Sequence, residues 1–248
     1  NGVTVREGLL ATEAEALNAG FSRRMLQGRP WVRCKLAASL DGRTAMASGD
    51  SRWITGAAAR ADVHRWRARS CAIITGSGTV LSDDPALTVR DIAQAATVPP
   101  PLRVVLDRGL ATSPEARLLR QAGDTWLFTD RAESPNRPAL ERAGARIEAV
   151  RGDDTGLDLD AVLVRLAQYG INEVLVEAGA TLAGAFVAAG LVDELIIYQA
   201  PHLMGDAGHP LVRLPGLDTM DRRQPLEWLD MRRVGEDLRL MARPVPSA

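Results

Sequence analysis

From residue 31 onward, short apolar runs alternate with stretches of helical periodicity, and this alternation limits the folds open to the chain. Runs of about four to eight residues rich in β-branched and aromatic side chains are typical of strands. Such runs predict strands at residues 32–39, 71–75, 103–107, 125–128, 174–177 and 194–200. Helical stretches lie between them at residues 57–69, 134–143, 158–168 and 181–189. Strands that alternate with helices predict an α/β domain on a largely parallel sheet, with helices on both faces.

The first part of the chain differs from this pattern. Residues 1–28 carry a helical period and no strand pattern, and Gly28 followed by Pro30 is a typical helix stop. We interpret residues 1–28 as a linker and the tail of a domain that lies upstream. Residues 29–248 then form the domain itself.

The last part of the chain predicts one more sheet element. Residues 231–242 favour a late strand or hairpin arm, with its turn at Gly235 and Asp237. The polar segment 151–156 is interpreted as a connecting loop. No internal repeat is visible in the sequence, so we expect a single repeat-free domain after the linker.

Charge and composition exclude several classes of function. The chain has 30 basic and 31 acidic residues, which is not the basic excess of a nucleic-acid binder. No apolar stretch reaches the roughly 18 residues of a membrane span, and the first residues lack a signal-peptide pattern, so we expect a cytoplasmic protein without a membrane partner. Cys34 and Cys71 lie in apolar runs and predict reduced thiols. The histidines lack metal-ligand spacing, and we expect no metal site.

The first candidate for chemistry is KLAASLDGRT, residues 35–44, where a strand enters a polar turn. Ligands of open α/β sheets usually collect at the carboxyl ends of strands. A lysine inside an apolar strand is costly unless its ammonium has a partner. Lys35 therefore has two interpretations: an edge position with its amine in solvent, or a charged donor directed at a substrate.

The second candidate is IITGSGTVLSDDP, residues 73–85, which joins a strand to a Gly-x-Gly turn and two adjacent carboxylates. Glycines in such a turn allow the backbone to approach a phosphate at a helix N-terminus. Leu81 occupies the place of the third glycine of the dinucleotide fingerprint, so the motif alone is a weak signal. Asp83 and Asp84 are turn or helix-end residues before Pro85 in one interpretation, and site residues in the other.

The third candidate is VLVEAGATLAGAFVAA, residues 174–189. An apolar strand ends in Glu177 and passes through Gly179 into a helix that we expect to open at Thr181. Small residues after the strand leave room for a pyrophosphate against the free amides of the first helical turn. The alternative is close strand–helix packing with Thr181 as the N-cap. Glu177 favours the ligand site, because a carboxylate at the mouth of a buried strand is rarely kept for packing.

Arginines and one tryptophan supply the remaining candidates. Arg67, Arg69 and Arg90 are solvated surface charges in the simple interpretation, whereas a pair of them suits bidentate binding of a terminal phosphate. Trp53 offers either an aromatic wall to a nicotinamide or a side chain that fills the core. The sequence alone leaves both pairs of alternatives open.

Four motifs in order, KLAASLDGRTA, SGDSRWIT, GSGTVLSDDPALTVR and VEAGATLAGAF, closely resemble the reductase domain of the bifunctional riboflavin-biosynthesis deaminase/reductase family. The resemblance extends from Arg29 to Leu240, and residues 2–28 resemble the tail of that family's deaminase domain and its linker. It implies a dihydrofolate-reductase-like fold: a mixed, mostly parallel twisted sheet with helices on both faces. It also implies a homodimer and a deaminase domain upstream in the full-length protein.

The resemblance assigns roles to individual residues. It implies that NADPH is bound by Ala37, Trp53, Thr79, Asp83, Arg108, Gly179, Ala180, Thr181, Leu182, Ala183, Gly184 and Ala185. It implies that the phosphoribosyl group is bound by Ser51, Arg67, Leu87, Arg90 and Glu177. The expected catalytic residues are Lys35, Asp83 and Glu177. Arg108 departs from the family pattern, in which a serine is common, although an arginine suits a 2′-phosphate.

The activity implied by the resemblance is NADPH-dependent reduction of the ribose of 5-amino-6-(5-phosphoribosylamino)uracil to the ribitylamino product. The deaminase signature, His-x-Glu followed by Pro-Cys-x-x-Cys, is absent, so we expect no deamination by this chain. One alternative is another NADPH-dependent reductase that acts on a pterin or a different pyrimidine. A second alternative, from another class, is a non-catalytic fragment that only binds a nucleotide.

Overall fold

The computed structural model describes residues 2–93, 95–131 and 133–245. The described residues form the helices α1 (Ala11–Leu17), α2 (Ala19–Gln27), α3 (Ala57–Arg69), α4 (Ser77–Asp83), α5 (Arg137–Arg142), α6 (Leu159–Gln168) and α7 (Ala180–Ala188). They form the strands β1 (Trp31–Ser39), β2 (Arg43–Ala45), β3 (Ala72–Gly76), β4 (Leu102–Leu106), β5 (Thr125–Thr129), β6 (Ala145–Ala149), β7 (Gly152–Asp153), β8 (Gly156–Leu157), β9 (Glu173–Glu177), β10 (Glu194–Ala200), β11 (His209–Pro210), β12 (Leu226–Val234) and β13 (Asp237–Pro244).

A nine-stranded mixed sheet organises these elements, in the order β12-β13-β10-β1-β9-β3-β4-β5-β6. The strands from β10 to β6 in this order pair in parallel, and the hairpin of β12 and β13 adds two antiparallel strands at one edge. β1 is central because β10 and β9 pair with its two sides. The mixed, mostly parallel sheet expected from the sequence is therefore confirmed.

Alternate residues of the strands pack against helices on opposite faces of the sheet. On one face, residues such as Cys34 and Val176 form a buried core with α6 and α7. On the other face, Leu175 packs against α3, and Leu127 packs near α4 and α5. Both faces of a parallel sheet must be covered in this way, which explains why its strands are apolar in almost continuous runs.

The sequence predicted most elements of the sheet, and the differences have physical causes. The strand β6, ARIEA, was not predicted, because this short edge strand contains only one β-branched residue and no aromatic one. The segment 151–156 was predicted as a loop and contains part of the short β7–β8 pair. In the late hairpin, Gly235 does lie in the turn, with a φ of 64°. Asp237 does not, because it is the first residue of β13 and accepts a hydrogen bond from Gly56 N–H at 2.8 Å.

The helical segment before the sheet is two short helices, and the second one packs on the domain. Arg23 contacts the Asp193 carboxylate at 2.5 Å, and Arg24 donates to the Asn172 side chain at 2.5 Å. Gly20 is buried so closely against Asn172 that a Cβ would overlap its carbonyl. Asn172 and Asp193 precede β9 and β10, so α2 lies at the amino-end edge of the sheet. The predicted stop at Gly28 is present as a left-handed C-cap.

Helices in this domain are short. The longest of the described helices, α3, has 13 residues, whereas a membrane span needs about 20. Across residues 2–93, 95–131 and 133–245, no helix has the length and apolar character required to cross a membrane. The stability of helices this short comes mainly from packing against the sheet rather than from helix propensity.

A buried polar cluster fixes α3 against the sheet. The Tyr198 hydroxyl and the Arg239 guanidinium donate to Asp62 Oδ2 at 2.7 Å and 2.8 Å. Burial opposes ionisation of Asp62, but these hydrogen bonds and the Arg239 charge outweigh it and lower the pKa of the carboxyl. A buried ion pair is most costly when one partner is removed, because the other charge stays desolvated. Asp62 therefore ties α3 to β10 and β13.

We expect Asp62→Ala to reduce the free energy of unfolding by about 3 kcal/mol, because the substitution leaves Arg239 and the Tyr198 hydroxyl buried without this acceptor. Urea denaturation at pH 7 measures the change. Asp218→Ala is the matched control, since the Asp218–Arg222 pair is 71% and 63% exposed at its side chains, and we expect a change within about 0.5 kcal/mol. Equal effects of the two substitutions would contradict a special role of the buried cluster.

Candidate functional site

One large cleft opens beside β1 and at the carboxyl ends of β9, β3 and β4. It encloses about 2070 Å³. The sequence-predicted site residues that line it are Lys35, Ala37, Ser51, Trp53, Arg67, Thr79, Asp83, Leu87, Arg90, Arg108, Glu177, Gly179, Ala180, Thr181, Leu182, Gly184 and Ala185. Ala183 does not line the cleft, because this residue of α7 faces the core and is fully buried there. We therefore leave Ala183 out of the candidate site.

The floor of the cleft carries an ion pair between Glu177 and Arg67. Arg67 Nε donates to Glu177 Oε1 at 2.6 Å and Nη2 donates to Oε2 at 2.8 Å, in a bidentate arrangement. The two side chains are only 11% and 12% exposed. Burial raises the pKa of Glu177, but Arg67 and then Lys35 outweigh it and hold the pKa at about 2. Glu177 is thus a carboxylate at neutral pH, with no proton of its own to release.

Lys35 lies beside this pair, directly opposite Glu177 in the β1–β9 register. It is the only lysine in the sequence, since the other 29 of the 30 basic residues are arginines. Burial lowers the pKa of the Lys35 ammonium; Glu177 opposes this effect and Arg67 adds to it. Within the described residues, Lys35 forms no hydrogen bond or ion pair. The edge-position interpretation is wrong because β1 is central, and the ammonium is available to a ligand.

His64 also lies in the cleft and was not predicted as a site residue. It is buried on α3, one turn before Arg67, and lines the same cleft. Burial, and then the nearby charges of Arg67 and Arg90, lower the pKa of His64 to about 4. The imidazole is therefore neutral at neutral pH. The signal in the sequence was the i, i+3 spacing from Arg67, which places both side chains on one helix face.

The helix α7 presents its N-terminus to the cleft. It begins at Ala180 with Gly179 as N-cap, and no side chain caps its first turn. The expected opening at Thr181 is wrong by one residue, and Thr181 is not the N-cap. The first amides of a helix lack intrahelical acceptors and attract anions. A Cβ on Gly179 would meet no heavy atom within 4 Å, so the backbone faces open space there.

Gly184, one turn further along α7, has a different reason to be small. A Cβ at this position would overlap the carbonyl oxygen of Arg213. The Arg213 N–H also donates to the carbonyl of Ala180 at 3.0 Å. The backbone that contains Arg213 thus packs directly on the helix, and Gly184 permits this contact.

A loop and the end of α4 form one rim of the cleft. Trp53 is 68% exposed, with the Arg60 guanidinium 4.5 Å from its ring centroid, so it does not fill the core. Arg52 donates to the Asp83 carbonyl at 2.7 Å and thereby joins the loop to the end of α4. Asp84 is a helix-end residue: it follows α4 in a left-handed conformation, and its carboxylate accepts a hydrogen bond from the backbone N–H of Arg117. Arg52 was not predicted as a site residue.

Arg108 follows β4 at the far end of the cleft, where it meets an acidic side chain. Its Nε donates to Asp130 Oδ2 at 2.7 Å. The Arg108 side chain remains 39% exposed, and its terminal nitrogens make no hydrogen bond within the described part of the chain. Arg108 therefore keeps donors for an anion, although Asp130 offsets part of its charge.

Comparison with known proteins decides the family. The model of the RibD C-terminal domain matches residues 30–240. The chain belongs to the RibD C-terminal domain family. RibD of Escherichia coli strain K12 is 45% identical over 246 residues, which cover 96% of this chain and 66% of that protein. The RibD C-terminal domain is the reductase domain of riboflavin biosynthesis, as the sequence resemblance implied.

Solved structures agree with this assignment. Acinetobacter baumannii RibD, form 2, superposes with a TM-score of 0.88 at 39% identity, over 98% of this chain and 66% of that one. A Thermotoga maritima diaminohydroxyphosphoribosylaminopyrimidine deaminase/5-amino-6-(5-phosphoribosylamino)uracil reductase gives a TM-score of 0.83 at 27% identity, over 98% and 65%. These neighbours confirm the dihydrofolate-reductase-like fold. The chain spans about 66% of the curated RibD sequence from Escherichia coli.

The two cysteines of the chain do not line the cleft. Cys34 and Cys71 are free thiols, and burial raises the pKa of Cys34 to about 12. In the part of the chain that the structure describes, no three His, Cys, Asp or Glu side chains are grouped as a metal ion would require.

Gly179, the N-cap of α7, and Gly184 within the helix predict different effects of a substitution by alanine. Gly184→Ala forces the helix away from Arg213, and we expect a loss of roughly 1–3 kcal/mol in the free energy of unfolding, as for other overpacked sites. Gly179→Ala adds a methyl group in open space, and we expect a change below about 1 kcal/mol. Chemical denaturation of both variants measures the difference. A stable Gly184→Ala variant would show that the Arg213 segment moves freely.

The Glu177 carboxyl predicts a dependence of stability on pH. Its folded pKa is about 2 and its ordinary value is 4.5, so the unfolded chain binds more protons between these values. The contribution of the ion pair is fully present above pH 4.5 and is lost as the pH falls toward 2. We expect Glu177→Gln to be less stable than the wild type at pH 7, and the gap to narrow below pH 4.5.

Urea unfolding of both proteins at pH 7, 5, 4 and 3 measures this gap. Glu115→Gln is the control, because the Glu115 side chain is 85% exposed and its contact with Arg120 is 3.9 Å long; its gap from the wild type should stay near zero throughout. A constant gap for Glu177→Gln across the acid range would contradict the depressed pKa.

Proposed function

We propose that this chain uses NADPH to reduce the ribose of 5-amino-6-(5-phosphoribosylamino)uracil to the ribitylamino product. The observation that carries the proposal is one cleft that holds the Lys35–Glu177–Arg67 charge cluster beside the uncapped N-terminus of α7. The Thermotoga maritima neighbour is named for a reductase of this substrate. Membership of the RibD C-terminal domain family supports the same reaction.

The cleft has features that suit a dinucleotide cofactor. The open space at Gly179 and the uncapped turn of α7 fit a pyrophosphate, which helix N-termini bind well. Backbone and side chains of Ala180, Thr181, Leu182, Gly184 and Ala185 would complete this part. Ala37, Trp53, Thr79 and Asp83 line the cleft around it and are the remaining proposed cofactor contacts. When bound, the nicotinamide supplies a hydride to the anomeric carbon of the ribose.

Arg108 is the proposed contact for the 2′-phosphate that distinguishes NADPH from NADH. Its terminal nitrogens are available, and an arginine suits a phosphate through bidentate hydrogen bonds. Asp130 neutralises part of this charge at 2.7 Å. In this proposal the preference for NADPH over NADH depends on the balance between the Arg108 and Asp130 charges.

The substrate's phosphate is proposed to lie against Arg90, Ser51, Arg67 and Leu87. Arg67 already uses three of its five N–H groups on Glu177 and the Thr88 carbonyl, which leaves two. Arg90 is half exposed, and its only ion pair in the described chain is with Asp91 at 3.4 Å. Arg90 is therefore the principal phosphate ligand in this proposal, and Arg67 contributes from the floor of the cleft.

Lys35 and Glu177 have different proposed roles at the ribose: Lys35 donates a proton and Glu177 accepts hydrogen bonds. The ring oxygen takes up a proton as its bond to the anomeric carbon breaks, and the Lys35 ammonium is the unpaired donor at this place. Its lowered pKa favours proton release. Glu177, held ionised by Arg67, accepts hydrogen bonds from ribose hydroxyls rather than shuttling a proton. Asp83 is retained as a proposed catalytic residue at the rim of the cleft.

Assembly and location are also proposals. RibD of Escherichia coli is longer than this chain, and we propose a deaminase domain upstream of residues 1–28 in the full-length protein. We propose a homodimer, with support from Trp228 and Met231, which are exposed on the outer edge strand β12; light scattering would measure it. We propose the cytoplasm as compartment, and no nucleic-acid or membrane partner.

NADPH absorbance tests the function directly. We expect NADPH to be oxidised when 5-amino-6-(5-phosphoribosylamino)uracil is added to the purified chain, with a ribityl product in the mass spectrum and slower turnover with NADH. We expect Lys35→Met to lower kcat about 100-fold or more, as for the loss of a general acid, while NADPH still binds. Full turnover by Lys35→Met would remove Lys35 from the catalytic residues.

The alternatives give different results in the same assay. A reductase of pterins or of another pyrimidine would oxidise NADPH with those compounds and leave the phosphoribosylamino substrate unchanged. A non-catalytic fragment would bind NADPH without oxidising it. The two N–H donors left on Arg67 and the exposed Arg90 favour a phosphorylated substrate over a pterin, which has no terminal phosphate to bind.

A further inference from the structure

His64 holds the backbone of the loop that follows α4. Its Nδ1 lies 3.1 Å from the Thr88 carbonyl oxygen and 3.3 Å from the backbone nitrogen of Arg90. With a proton on Nδ1, the ring donates to Thr88; without it, the ring accepts the hydrogen bond of Arg90 N–H. In either neutral tautomer the imidazole is therefore joined to the main chain beside Arg90.

A second residue of α3 contacts the same stretch of chain. Arg67, one helical turn after His64, donates from Nη1 to the Thr88 carbonyl at 2.9 Å. The loop also holds two non-glycine residues at positive φ, Leu87 at 47° and Asp91 at 59°. Residues in such conformations persist only where their surroundings fix them. His64 and Arg67 are the side chains of α3 that hold this loop in place.

The charges around His64 favour its neutral form. Arg67 on α3 and Arg90 on the loop are cations close to the ring, while Glu177 on β9 and the exposed Asp91 carboxylate, 3.7 Å from Nε2, are the anions. The side chain of His64 is 6% exposed. A proton on both ring nitrogens would place a third cation, with little solvation, between two arginines.

We propose that His64 is a positioning residue for substrate binding: its ring fixes the Thr88–Arg90 backbone and so sets the place at which Arg90 meets the anionic terminus of the substrate. The inference rests on the proposed function, in which Arg90 is the principal phosphate ligand. Lys35 on β1 and Glu177 on β9 form no hydrogen bond to this loop within the described part of the chain, and only Arg67 joins Glu177 to it. Loss of the ring contact should therefore weaken binding of the phosphate end and leave hydride transfer almost unchanged.

Three substitutions of His64 separate the possible effects. His64→Asn keeps a polar group near the position of Nδ1, His64→Gln moves the polar group toward Nε2, and His64→Leu removes it while it fills the space. We expect His64→Leu and His64→Gln to raise the KM for the substrate about tenfold, the size expected for one buried hydrogen bond and a misplaced arginine. We expect His64→Asn to stay within about threefold of the wild type, and kcat to change less than about twofold in all three.

Binding measurements without turnover complete the test. Calorimetry with ribose 5-phosphate should show the same order of affinities, wild type and His64→Asn above His64→Gln and His64→Leu, while the Kd for NADPH stays constant. His202→Leu is the control, because His202 is exposed and does not line the cleft. If His64→Leu does not fold, the comparison of His64→Asn with His64→Gln decides the question.

Two outcomes overturn the inference. Unchanged KM and ribose 5-phosphate affinity in His64→Gln would show that the ring contact does not position Arg90. Equal damage in His64→Asn and His64→Gln, together with weaker NADPH binding and a lower Tm, would show that His64 is only structural. A wild type that binds ribose 5-phosphate but does not oxidise NADPH would contradict the proposed function alone, and the order of the four affinities would still test His64.

Discussion

The bidentate ion pair between Arg67 and Glu177 joins a helix to the end of a strand at the floor of the cleft, and most features of the site depend on it. The pair keeps Glu177 ionised despite its burial, and it holds the Arg67 guanidinium where a third donor reaches Thr88. It also sets the field at Lys35, which lies opposite Glu177 in the sheet. Since a buried charge without a partner is costly, none of these groups can move far without the others.

The placement of α3 makes this arrangement possible. The N-terminal end of the helix is held by the hydrogen bond of Gly56 to Asp237, its middle by Asp62 and Arg239, and its last turns by the pair with Glu177. These contacts reach β9 on one side of β1 and β10 and β13 on the other, so α3 is fixed relative to three strands at once. The helix α2 packs at the amino ends of the strands. This position is one strand length, roughly 15–30 Å, away from the cleft. The α2 contacts and the cleft thus lie at opposite ends of the strands of one sheet.

Much of this organisation follows from the sequence, and the rest depends on contacts between distant residues. Buried parallel strands and amphipathic helices have local patterns, so the bounds of α3 were predicted to the residue. The sequence also marked Lys35 and Glu177, but their opposition depends on the register of β1 against β9, which lie far apart in the chain. The burial of His64 and the contact of Gly184 with Arg213 likewise arise only from packing. The site residues were therefore predictable as a set, and their mutual distances were not.

The single lysine has a consequence for the chemical reactivity of this chain. The other 29 residues among the 30 lysines and arginines are arginines. Their guanidinium groups keep their protons and do not react as free amines. The side-chain amine chemistry of the chain is thus confined to the cleft, where burial lowers the pKa of Lys35 and increases the fraction of nucleophilic amine. Acylating and aldehyde reagents will find no lysine on the surface. A reagent of this kind that carries a phosphate would modify a side chain at one place, beside Glu177.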